Sequence, residues 1–225
     1  MSRKSLEWKP IHIEKKLDKL LEIIRHSKDE NPFNKTRFAE KLNRWEEQIL
    51  QIHDKTDYIK NRIAPQLERT LGFKIKNKEL LIVAMFQPST KNLFLELEIQ
   101  YRNEKDVPLS SDEFVTLISV SEIAKVFALL GDAAISMGVL YRLWQNNLDD
   151  VGQLTQKKAE IVSNQHMADL CDRWQLYEHR IHFDPATPSK SEIEHDKGTL
   201  IEAIYGIIQM EYGFPKVRES IKHLL

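Results

Sequence analysis

Apolar residues near the start of the chain recur at helical spacing. Ile13, Leu17, Leu20 and Ile24 stand four, three and four residues apart with Lys and Glu between them, which puts them on one face of a helix whose other faces are solvated. Phe38, Leu42, Trp45, Ile49, Ile52, Thr56, Ile59 and Ile63 keep the same alternation as far as Pro65, a heptad seam with one polar position. Between the stripes, Asp29-Glu30-Asn31-Pro32-Phe33-Asn34 has the composition of a turn. The pattern predicts an antiparallel helical hairpin over residues 1–64, its second arm roughly 40 Å long at about 1.5 Å per residue.

Pro65 opens a second unit, 65–225, in which Gly72 ends a short helix and Lys78-Glu79-Leu80-Leu81 begins another. Leu93, Leu95, Leu97, Ile99 and Tyr101 then alternate with Phe94, Glu96, Glu98 and Gln100. That period of two predicts a strand inside an insert around 90–118, paired near Phe114 to Ile118 or across a dimer. Ser110 with Glu113, and Ser119 with Glu122, have capping-box spacing, so a long helix is expected to start near one of them and run to Trp144.

Composition supports a mainly α fold, to which the period-two run adds a small β insertion. The 225 residues include only seven glycines and eight prolines, too few for a turn-rich all-β architecture. The formal charge of −1 provides no global attraction to nucleic acid, so any RNA affinity must come from a local basic face. Cys171, the sole cysteine, sits among Met167, Leu170 and Trp174 and reads as a buried thiol in a reducing compartment. The N-terminus has no apolar leader, and no run approaches about 18 uninterrupted apolar residues; a cytoplasmic protein with no membrane contact is expected. Trp8, Trp45, Trp144 and Trp174 each lie near an apolar stripe and are expected to pack. The histidines show no paired ligand spacing.

Several motifs follow one another in order: Leu129-Leu130-Gly131-Asp132-Ala133; then Gly152-Gln153-Leu154-Thr155 leading to Val162-Ser163-Asn164; then Gly198-Thr199-Leu200-Ile201-Glu202-Ala203. Together they resemble the ribonuclease III family from Pro65 to Leu225, the insert excepted. The resemblance implies a helical endonuclease domain that forms a two-fold homodimer, with the signature helices near the axis and a valley for double-stranded RNA. It also implies hydrolysis assisted by Mg2+ or Mn2+ held on carboxylates. Asp132 and Glu202 match catalytic, metal-binding acids. The family's acids four and seven residues before the aspartate are here Ala128 and Lys125, and the aspartate three before the glutamate is Thr199, at best a weak hydroxyl ligand.

Asp196 is expected to point off the shared face, and Lys125 to pair with Asp132. Lys157 and Lys158 match a stretch where phosphate contact is implied. The family's usual Thr-His-Arg-Ser is replaced by Phe86-Gln87-Pro88-Ser89. The chain stops where the family's bacterial nucleases append a double-stranded-RNA-binding domain, so weaker, salt-sensitive binding is expected. Three readings stand open: a dimer that binds structured RNA with impaired or atypical cleavage, an active Mg-dependent double-strand-specific endoribonuclease, and a protein-binding scaffold built on the heptad hairpin.

Overall fold

The computed structural model describes residues 8–30, 37–103, 107, 109–144, 150–183 and 188–225. Both heptad stripes become helices, α1 (Ile13–Glu30) and α2 (Arg37–Tyr58), packed on each other through Leu17, Leu20, Ile24, Leu42, Trp45, Ile49 and Ile52, all buried. Most of the turn cluster between them lies outside the described residues. Glu46 ties the pair by accepting from Arg25 at 2.7 Å and from Lys28, and these cations hold its carboxyl below the usual range.

Pro65 does not end the second helix. A π-helical turn over Ile59–Ile63 leads directly into α3 (Ala64–Leu71), with Pro65 in its first turn. The proline ring lacks an N–H and conflicts with the carbonyl four residues back; widening the turn before it relieves that conflict. Gly72 then closes α3 at φ 82°, a left-handed conformation that costs glycine nothing.

α4 (Lys78–Ala84) starts on an Asn77 cap, and α5 (Lys91–Tyr101) occupies the stretch expected to be a strand. The buried residues there are Leu93, Phe94, Leu97 and Tyr101, a helical spacing, whereas Ile99 is 61% exposed. The alternation set Phe94 among the polar positions, although it is fully buried. Glu and Leu also favour helix, and a lone strand had no partner. The expected partner, Phe114 to Ile118, lies in α6 (Ser111–Ile118), capped by the reciprocal Ser110–Glu113 box. Instead of pairing as strands, α5 packs on α6 and on the N-terminal hairpin: the Trp45 indole N–H donates to Glu96 at 2.8 Å, and the Ser27 and Tyr101 hydroxyls lie 3.1 Å apart. Among the described residues the one β feature is a bridge between Phe86 and Ile181.

Ser119 is the single residue between α6 and α7 (Val120–Trp144). Its carbonyl accepts from the Glu122 and Ile123 N–H groups at 3.0 Å, so backbone bonding rather than the expected side-chain box opens the long helix. α8 (Val151–Ile161) and α9 (Asn164–Arg173) follow, capped by Asp150 and Ser163. α10 (Lys190–Tyr212) and α11 (Phe214–Ser220) complete the chain, with Gly213 at φ 75° between them. α7 and α10 form the most extensive helix pair and sit at the centre of the core, flanked by α4, α9 and α11. α7 is long and apolar enough to cross a membrane, but its Phe127, Ala128, Gly131, Ala134, Ile135, Gly138 and Val139 are buried inside this domain. Cys171 is buried, which pushes its thiol up to about 12 and leaves it unreactive. Trp45 and Trp174 are buried and Trp8 is partly so, its ring tilted against Phe127 with centroids 5.6 Å apart; Trp144 departs from expectation at 59% exposed.

Candidate active site

The two signature helices meet through bare backbone. A β-carbon on Gly131 would lie 1.7 Å from the Glu202 carbonyl oxygen, and one on Gly206 would lie 2.0 Å from the Phe127 carbonyl oxygen. Only glycine permits this approach, and it brings the residue after Gly131, Asp132, near enough for its charge to act on Glu202. The close contact thus runs between helices of one chain.

Beside the crossing lies a cavity of about 380 Å³. α7 contributes Ser121, Ala124, Lys125 and Ala128, and α10 contributes His195, Asp196, Thr199, Glu202 and Ala203. Offsets of three, four and seven put each set on one helical face. A third wall comes from Ala84, Phe86, Gln87 and Pro88, where the chain leaves α4 and is fixed by the Gln87 N–H to Ile181 carbonyl bond of 2.9 Å. Phe86-Gln87-Pro88, standing where the family has other residues, is therefore part of the cleft.

Burial, and secondarily the charge of Asp132, push the Glu202 carboxyl up to about 7. Asp132 itself is exposed. Thr199 is half-buried in the lining. Lys125 faces the cleft but pairs with Glu122 at 3.0 Å, so the expected ion pair with Asp132 gives way to a contact one helical turn upstream. Asp196, expected off the face, lines the cavity after all and is met by buried Arg180 at 3.2 Å. Arg180 also donates to the Tyr177 carbonyl at 3.0 Å and lies over the Tyr177 ring at 3.5 Å.

These residues do not suit a tightly held divalent ion. Such an ion takes six or more hard oxygens and depends on carboxylate charge. The carboxylates in the lining are Glu202, which holds its proton to near neutrality, and Asp196, which is paired with Arg180; Asp132 lies outside the lining, and an alanine methyl and an ammonium group fill the α7 wall. Among the described residues no three metal-ligating side chains gather.

Lys157 and Lys158 are not among the cleft's lining; they ride on α8, which buries no residue. Unexpected from the sequence is a groove of about 720 Å³ lined by Tyr141, Arg142, Arg218 and Lys222, with Glu219 neutralised by Lys216 at 2.6 Å. Its cations come from α7, from α11 and from the 3-10 turn Ile221–His223 that follows it, far apart in sequence. Ser121 and His195 were also missed as cleft residues. Ser121 could have been found from its position four residues before Lys125.

Residues 125–213 match the family model described as the ribonuclease III domain. No curated protein matches the chain. Among solved structures it is similar to the nuclease domain of ribonuclease III from Campylobacter jejuni, described for structural flexibility in a region involved in dimer formation. The identity is 21% and the TM-score 0.47, covering 71% of this chain and 93% of that one.

Proposed function

From a chain that carries a ribonuclease III domain over residues 125–213, we propose a homodimeric protein that binds double-stranded or structured RNA and does not cleave it efficiently with Mg2+ or Mn2+. The observation that carries this reading is the cleft: its helical frame persists while Lys125, Ala128 and Thr199 occupy the positions where acids are expected. Each absent carboxylate removes both an oxygen ligand and a negative charge.

RNA affinity in a chain of formal charge −1 needs local basic surface. The groove of Arg142, Arg218 and Lys222, together with Lys157 and Lys158 on α8, supplies it. Tested on long duplex RNA, the purified protein should shift the RNA in EDTA, lose that binding steeply as salt rises, and leave the RNA intact with Mg2+ or Mn2+. Robust metal-dependent cutting that disappears in Asp132→Ala would instead establish an active endonuclease working with the two remaining acids.

The dimer is supported by the face of α7 turned away from α10. Val126, Leu129, Met137, Tyr141 and Trp144 form one stripe, exposed by 61, 71, 51, 43 and 59%. An apolar strip of this length on a folded domain marks an interaction surface. Met137→Glu should convert a dimer to monomer in sedimentation analysis with the helical circular dichroism unchanged; an unaltered dimer would place the interface elsewhere.

A further inference from the structure

The substitutions in the cleft do more than remove ligands: they reverse what its α7 wall attracts. In order along that wall stand Ser121, Ala124, Lys125 and Ala128, a hydroxyl, an ammonium and two methyls without a carboxylate. The Lys125 partner, Glu122, is 54% exposed, as is Lys125 itself. Such an exposed i,i+3 pair is weak, so the ammonium can exchange it for a stronger anion. Across the cavity, Asp196 is already answered by Arg180.

Ser121 supplies the second observation. It is only 1% exposed, lines the cavity, and its hydroxyl has no hydrogen-bond partner. Buried hydroxyls are normally satisfied, and this one sits four residues from Lys125 on the same helical face. The apolar part of the lining, Phe86, Pro88, Ala124 and Ala128, offers a surface for a flat organic group. The volume of about 380 Å³ falls within the range of small-ligand sites.

We propose that this cleft binds a phosphate ester directly, the Lys125 ammonium and Ser121 hydroxyl donating to it, with no divalent ion between protein and phosphate. A nucleoside monophosphate matches the combination of anionic and apolar demands, and a nucleotide of an RNA chain presents the same chemistry. The RNA source rests on the RNA-binding reading above; the phosphate-ester site itself does not. Glu202 shares the lining, so a single phosphate group suits the site better than a di- or triphosphate.

The test titrates adenosine monophosphate into the full-length protein in EDTA, followed by calorimetry and amide chemical shifts. Shifts confined to residues near 121–128 and 199–203 are expected. Lys125→Ala should weaken binding at least about tenfold, Lys125→Arg should retain most of it, and Lys125→Glu should abolish it, each variant keeping the wild-type melting curve because the side chain is exposed. Binding that requires Mn2+, binding indifferent to Lys125→Ala, or no binding at millimolar nucleotide would each overturn the proposal. A labelled duplex RNA distinguishes the sources. Should adenosine monophosphate bind through Lys125 while duplex RNA is not bound at all, the cleft site stands and the RNA reading fails. Should duplex RNA bind with no competition from the nucleotide and no effect of Lys125→Ala, the RNA reading stands and this proposal fails.

Discussion

Gly131→Ala should destabilise the protein by at least about 3 kcal/mol, beyond the usual range for a single small-to-large change. The added methyl would lie 1.7 Å from the Glu202 carbonyl oxygen, with the Glu202 carbonyl carbon and the Gly206 nitrogen behind it at 2.6 and 2.7 Å. These are backbone atoms of a central helix and cannot swing aside, so α7 and α10 must separate. Gly206→Ala, facing the Phe127 carbonyl at 2.0 Å, should do the same. Gly198→Ala is the control: its nearest neighbours are Asn164 Oδ1 and Met167 Cβ, both at 3.6 Å. There the better helix propensity of alanine should stabilise by up to about 1 kcal/mol. Urea unfolding measures all three; a Gly131→Ala loss below about 1 kcal/mol would mean that the two helices do not touch as described.

Through Glu202 alone, stability should fall as pH rises from about 4.5 to about 7. Its carboxyl is raised from the ordinary 4.5 to about 7 by burial and then by Asp132, so in that window the unfolded chain has released a proton that the folded chain keeps. Unfolding then gains from rising pH. The contribution is full below about 4.5, is lost as pH climbs through the folded value, and is gone above it. Discounted for partial exposure, it is on the order of 2 kcal/mol.

Glu46 and Glu113 are held low by their hydrogen-bond partners and act in the opposite direction at acid pH. The Glu113 carboxyl, for instance, takes a 2.8 Å bond from the Ser110 N–H, so the comparison that isolates Glu202 is wild type against Glu202→Gln. The variant should lack the decline and, at pH 8, exceed wild type by about 2 kcal/mol. A divalent ion bound at Asp132 and Glu202 would hold the carboxylate ionised and erase the difference on addition of Mg2+ or Mn2+. Persistence of the difference in millimolar metal agrees with a cleft unsuited to cations.

Much of this architecture is legible in the chain because helical periodicity is local. The stripes through Ile13 to Ile24 and Leu42 to Ile63 are buried where the spacing puts them, and Gly72 and Ser110 cap as their residue types demand. Several features were not legible, for different reasons. The stretch from Leu93 to Tyr101 carries apolar residues at both periods, and only the burial of Phe94 and the contact of Tyr101 with the hairpin decide for the helix. Pro65 reads as a break, yet a π-helical turn lets the helix pass it.

Another is the electrostatics of the cleft. Offsets on α7 and α10 identify Lys125, Ala128, Thr199 and Glu202 as facing it, but not that Asp196 joins them, that Lys125 turns to Glu122 or that Arg180, from a different segment, claims Asp196. The Asp196 pairing depends on side chains brought together by the fold, and the turn of Lys125 on which nearby acid it meets first. The basic groove of Arg142, Arg218 and Lys222 was hidden because its cations come from separate parts of the chain.

α7 presents different residues to different tasks. Gly131, Ile135 and Gly138 are buried against neighbouring helices, while Ala124, Lys125 and Ala128 line the cleft. Side chains at these cleft positions can therefore change sign, size or chemistry while the interlocked backbones keep their register. A scaffold arranged this way separates shape from reactivity. Acids introduced at 125, 128 and 199 would enter a frame whose geometry is already in place.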